Sequence, residues 1–101
     1  MTTPPPAGPG LVGRHWLVVG RVQGVGFRWF VLNHAQRLGV RGWVRNTDDG
    51  SVEVVGLASA ATIEQLDAQL AVGPPGAHIV RLVRSDVPHE SVEDKSFGIK
   101  H

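Results

Sequence analysis

Three glycines, Gly20, Gly24 and Gly26, fall between an apolar run, Trp16-Leu17-Val18-Val19, and a segment that opens Phe27-Arg28 with helical spacing. A chain with this order arrives as a strand, turns sharply and leaves as a helix. Glycine reaches backbone dihedrals closed to other residues, so successive N–H groups can gather on one concave side. The first helical turn adds N–H groups without intrahelical partners and a partial positive charge. The stretch Gly20-Arg21-Val22-Gln23-Gly24-Val25-Gly26-Phe27-Arg28 therefore suits an anion such as phosphate, with Arg28 adding a fork of donors from the first turn. The competing reading is a turn that only reverses the chain. Nucleotide binding is disfavoured: the stretch contains no G-x-G-x-x-G, and no Lys-Ser or Lys-Thr follows the glycines.

Residues 14–20 read as a first strand, with His15 at a surface or satisfied position near its start. Phe27, Val31, Ala35 and Leu38 recur at spacings of four, four and three, which predicts a helix over 27–38 capped by Gly39. Phe30 and His34 flank that stripe. Trp29 and Phe30 are expected in or near the core, and Asn33, Gln36 and Arg37 on the solvated face. Residues 40–46 alternate as a second strand, with Trp43 and Arg45 on one face and Val44 and Asn46 on the other. Thr47-Asp48-Asp49-Gly50 is a turn signal, and 51–57 a third strand, so the two strands form a hairpin.

A second helix follows, started by Ser59 or by Thr62 with Gln65 in a capping box, with Ile63, Leu66 and Leu70 as its apolar stripe. Gly73-Pro74-Pro75-Gly76 stops it. Residues 79–87 read as a fourth strand, 88–94 as a polar loop, and 96–100 as a short last strand with Phe97 and Ile99 pointing the same way. The order is β-α-β-β-α-β plus a final strand. The expected class is α+β, an antiparallel sheet with two helices on one face. Residues 1–12, rich in Pro, Thr and Gly, are expected to be a disordered arm, leaving 13–101 as one domain.

Composition removes several functions. The chain of 101 residues has a formal net charge of +1, so no strong field draws nucleic acid or an anionic membrane. It has no cysteine, which rules out disulfides, thiolate metal sites and a cysteine nucleophile. No histidine stands at metal-ligand spacing from another, so neither a metal nor a cofactor is expected. A Ser-His-Asp arrangement stays open, although no serine sits in a nucleophile elbow. Without a signal pattern or a long apolar run, a cytoplasmic location is the default.

A phosphate site with no base, metal or nucleophile restricts its substrate. The leaving group must depart unaided. A carboxylate does, since its conjugate acid has a pKa of about 4. An alkoxide does not. An acyl phosphate is thus the natural fit, with positioning and charge stabilisation as the catalytic means. Asn46, at the end of the second strand, can orient a water through its amide but cannot act as a base; on spacing alone the simpler reading is turn entry.

The nine residues 20–28 and the stretch Gly42-Trp43-Val44-Arg45-Asn46-Thr47-Asp48-Asp49-Gly50 resemble the two signatures of the acylphosphatases. Gly73-Pro74-Pro75 and Phe97-Gly98-Ile99-Lys100 are similar to that family as well, and the likeness spans roughly residues 13–101. It implies the ferredoxin-like fold and hydrolysis of acyl phosphates to a carboxylate and inorganic phosphate, without a metal. It also implies that Arg28 holds the phosphate with the loop N–H groups of Val22, Gln23, Gly24, Val25, Gly26 and Phe27. Asn46 then orients the attacking water. Inorganic phosphate is the implied product and inhibitor, and a monomer is expected. The loop also resembles the N-terminal domain of the carbamoyltransferases that mature hydrogenases, a phosphate-handling module within a larger chain. Those domains usually carry proline where this chain has Trp29, and this chain stops at His101; both features favour a free-standing enzyme. The ending Lys100-His101 differs from the arginine and aromatic residue of many acylphosphatases, and Gly26 replaces a larger residue found in some.

Overall fold

A computed structural model describes residues 10–101. The elements are β1 (Leu11–Arg21), α1 (Phe27–Leu38), β2 (Arg41–Asn46), β3 (Val52–Ser59), α2 (Ala60–Val72), β4 (His78–Val87), a 3-10 turn (His89–Ser91) and β5 (Phe97–Ile99). Strand order across the sheet is β4-β1-β3-β2-β5. The first four strands pair antiparallel, as the ferredoxin-like pattern requires. The fifth joins the β2 edge in parallel, Val44 opposite Ile99, so the complete sheet is mixed.

Alternation along the strands sends one face to the helices. Trp16 and Val18 from β1, Val44 from β2, and Val52 and Val54 from β3 are fully buried there. Phe27, Val31 and Ala35 of α1 and Ile63, Leu66 and Leu70 of α2 close over them. Removing a large apolar side chain of this kind from water contributes roughly 1.5–3 kcal/mol. Ser59, not Thr62, caps α2: its Oγ accepts from Thr62 N–H at 3.3 Å, which places Thr62 inside the first turn and leaves the Thr62–Gln65 box unformed.

Asp67 stands on the buried side of α2 and is only 8% exposed. It accepts from Trp16 Nε1 at 2.9 Å and from Arg84 Nε and Nη2 at 2.6 and 3.0 Å. Those bonds tie α2 to β1 and β4. On the opposite sheet face Glu53 is met by His15 Nε2 at 2.7 Å and Arg45 Nε at 2.6 Å, so His15 is a satisfied, half-buried group as expected. Burial alone would raise the Glu53 carboxyl; the bonds from His15 and Arg45 outweigh it and hold the group below its ordinary value.

Three sequence expectations change. Leu11 and Val12, assigned to the arm, open β1 opposite Ser59 and Ala58; the rest of the arm, 1–9, lies outside the described residues. The segment 88–94 is not simply a polar loop: Val92 is buried and packs with Val55 and Leu57 on the sheet face away from the helices. Trp29 is 61% exposed and belongs to neither core cluster. It follows Phe27 by two residues, about 200° round a helix of 3.6 residues per turn, and so points away from the stripe that Phe27 begins.

Candidate active site

The turn between β1 and α1 takes the shape its glycines permit. Gly24 and Gly26 have φ of 76° and 78°, the left-handed region that L side chains avoid. Gly26 is the N-cap of α1, and having no side chain it offers the helix no cap of its own. No acidic residue stands in the first turn either. The first main-chain bond of the helix runs from Phe30 N–H to Gly26 C=O at 3.0 Å. The N–H groups of Phe27, Arg28 and Trp29, ahead of that bond, have no partner within the helix. These donors and the positive end of the helix thus meet at the glycine turn.

This stretch walls a cavity of about 200 Å³ lined by Val22, Gly24, Gly26, Phe27, Arg28, Trp29 and Asn46. Val22 and Phe27 are buried and anchor the loop's two ends in the core. Arg28 is half-buried, and among the described residues its guanidinium has no carboxylate or other partner. Asn46 enters from β2, on the same face as fully buried Val44, and so faces the start of α1 as alternation predicts. The structure thus brings together Arg28, Asn46 and the loop residues 22, 24, 26 and 27, which lie far apart in sequence.

The side chains of two further loop residues, Val25 and Gln23, turn away from this cavity, while the sequence reading concerns their main-chain N–H groups. Val25 packs against the core. The side chain of Gln23 is turned to the β2–β3 hairpin, where its Nε2 donates to the carbonyl oxygens of Thr47 and Ser51 at 2.8 and 2.9 Å. The hairpin itself is a stiff support. Thr47 N–H donates to Ser51 C=O at 2.9 Å, and Asp49 Oδ1 accepts from Ser51 N–H at 3.1 Å and from the Thr47 hydroxyl. The Thr47 hydroxyl and the Ser51 amide hold the Asp49 carboxyl below its ordinary value, so it serves as an ionised turn former, and Asp48 is exposed beside it.

Sequence reasoning missed Trp29 and the role of the Gln23 side chain. Helical angle was the available signal for Trp29, since position 29 falls opposite the apolar stripe. Nothing local marks Gln23, whose partners stand 24 and 28 residues away.

Two larger concavities flank the molecule. One, of about 430 Å³, is lined by Arg14, Glu64, Asp67, Arg84, Ser85 and Asp86, whose charges are largely spent on one another. The other, of about 410 Å³, runs between α1 and β5 and shares Arg28 and Trp29 with the small cavity. Among the described residues no group of three or more His, Cys, Asp or Glu side chains is gathered to hold a metal. No helix there is long and apolar enough to cross a membrane.

Comparison with known proteins bears on the same residues. The sequence model of the Acylphosphatase family matches residues 14–99. The chain is 43% identical over 90 residues to the acylphosphatase of Bifidobacterium longum, covering 89% of this chain and 93% of that one. In structure it resembles the acylphosphatase from Bacillus subtilis, with a TM-score of 0.83, 31% identity, and coverage of 89% and 99% of the two chains. It also resembles part of T. kodakarensis HypF, with a TM-score of 0.77 and 34% identity over 89% of this chain but 12% of that longer one. With the β-α-β-β-α-β order, the glycine turn and both signature stretches in one fold, this chain belongs to the acylphosphatase family.

Proposed function

We propose that the chain hydrolyses acyl phosphates, with the phosphoryl group seated in the small cavity and the carboxylate departing unaided. The observation that carries this reading is the convergence at one cavity of unpartnered helix-start amides, an unpaired guanidinium and the Asn46 amide, with no general base in the lining. The amides of Gly24 through Arg28 and the Arg28 fork hold the phosphoryl oxygens, where negative charge concentrates in the transition state. Asn46 accepts a hydrogen bond from a water and aims its oxygen at phosphorus. The new P–O bond forms as the P–O bond to the acyl group breaks, with the acyl oxygen leaving opposite the water. The electron pair of the broken bond leaves with the carboxylate, which needs no proton at neutral pH. The water's proton passes to the phosphate or to solvent. Val22, Gln23, Val25 and Phe27 serve by holding the loop in this shape, Gln23 through the hairpin that carries Asn46.

Inorganic phosphate, as product, competes for the same amides. Activity is expected from a monomer in the cytoplasm with no metal added. The deciding experiment is hydrolysis of benzoyl phosphate by the purified chain, with carbamoyl phosphate in parallel. Turnover of benzoyl phosphate by wild type, and its loss in a folded Arg28→Ala variant, is the expected result. Wild-type activity in Arg28→Ala rejects the cradle. Tight phosphate binding with no turnover of either substrate indicates a phosphate-handling module instead.

A further inference from the structure

On that reading the small cavity takes the phosphoryl group, and the acyl group attached to it needs a surface of its own. Its wall formed by Arg28 and Trp29 is also a wall of the groove between α1 and β5. That groove measures about 410 Å³ and is floored by Leu32, Phe97 and Ile99. Arg28, Leu32 and Gln36 follow one another at intervals of four along α1, so the groove runs down one side of the helix from the phosphate end. Gln36 Nε2 donates to Phe97 C=O at 3.3 Å and joins helix to strand within its lining. No acidic side chain lines it, and its polar lining side chains are Arg28, Gln36 and His101. Trp29, one of the largest side chains in the protein, is exposed at its mouth and supports neither core.

We propose that this groove receives the acyl group of the substrate, with Trp29 and Leu32 as its specificity-determining contacts, and that it favours aromatic or branched apolar acyl phosphates over acetyl phosphate. The inference rests on the reading of the small cavity as the phosphate site. An acyl group is joined to phosphorus through a single bridging oxygen, so it lies next to the group that Arg28 holds. Ligand pockets are typically apolar concavities with a few polar groups at fixed points, and this groove has that character. An apolar acyl group covers the Trp29 ring and Leu32; an acetyl group reaches little of either.

The test compares kcat/KM for benzoyl phosphate and acetyl phosphate in wild type, Trp29→Ala, Trp29→Phe and Leu32→Ala. The expected result is a fall of about tenfold in the benzoyl-to-acetyl ratio for Trp29→Ala, the scale on which apolar pockets discriminate. The fall appears mainly in KM for benzoyl phosphate. Trp29→Phe recovers most of the ratio, and Leu32→Ala shifts it in the same direction as Trp29→Ala. An unchanged ratio overturns the proposal, and so does an equal loss on both substrates, which assigns Trp29 to the phosphate cavity alone. A wild-type chain that hydrolyses neither substrate instead overturns the phosphate-site reading, and the groove proposal with it.

Discussion

The side-chain amide of Gln23 donates to the carbonyl oxygen of Thr47 at 2.8 Å, and so fastens the glycine turn to the residue that follows Asn46. A second bond from the same nitrogen reaches Ser51 at 2.9 Å. The glycine turn and the hairpin that carries Asn46 are therefore joined through one side chain. Gln23→Ala is expected to cost about 1–2 kcal/mol of stability, in line with two neutral hydrogen bonds. It also lowers kcat, because Asn46 and the loop lose their common support. Urea denaturation with steady-state kinetics checks both. Gln23→Glu, which sets carboxylate oxygens against two carbonyl oxygens, is expected to be worse than alanine.

Asn46→Ala separates orientation of water from binding of phosphate. The expected fall in kcat is on the order of 100-fold, the scale for loss of one preorganised polar contact in a hydrolytic site. Inhibition by inorganic phosphate is expected to change far less, since Arg28 and the loop amides stay in place. Equal losses in the two quantities contradict the assigned role.

Gly26→Ala tests the backbone at the helix start. A methyl group added there meets nothing within 4 Å, so any cost comes from φ of 78° and not from a clash. That cost is about 1–2 kcal/mol for an alanine forced into the left-handed region. Gly26→Asn is expected to cost less, because asparagine tolerates that region. Both variants lose phosphate affinity if the chain relaxes out of it, which isothermal titration with inorganic phosphate reads directly.

Asp67 makes stability depend on acid. The Arg84 guanidinium bonded to it lowers its pKa from the ordinary value of 3.8; burial opposes the shift, and the Trp16 N–H and nearby Arg84 and Arg14 charges support it. The unfolded chain thus takes up this proton more readily than the folded one. The carboxylate's contribution is complete above its ordinary pKa and drains away as pH falls through the lower folded value. Asp67→Asn is expected to lose about 2–3 kcal/mol at pH 7, the cost of giving up charge-assisted bonds in a buried place. The gap between wild type and variant narrows in denaturation measured at progressively lower pH below 3.8.

The order of elements was readable because each carries its own period. The Phe27-Val31-Ala35 stripe and the alternation that puts Asn46 beside Val44 are local patterns, and both match the structure. Trp29 departs from the core position its hydrophobicity suggests because its angle on the helix sends it to solvent. The burial of Val92 has no local signal, because a single valine among polar residues carries no period and its partners Val55 and Leu57 come from a distant strand. Leu11 and Val12 follow a run of prolines and glycines and look like linker, yet the ladder of β1 extends to them because Ala58 and Ser59 stand opposite. The cavity that joins the loop to Asn46 was not visible from spacing, which left Asn46 as a turn former; the family signatures were what singled it out.

Helix α1 begins without a capping side chain and without an acid near its first amides. Most helices complete their own beginnings. On the proposed reading this one leaves the task to the substrate, so an oxyanion seated there also completes the helix. Inorganic phosphate is then expected to stabilise the fold as well as block the site.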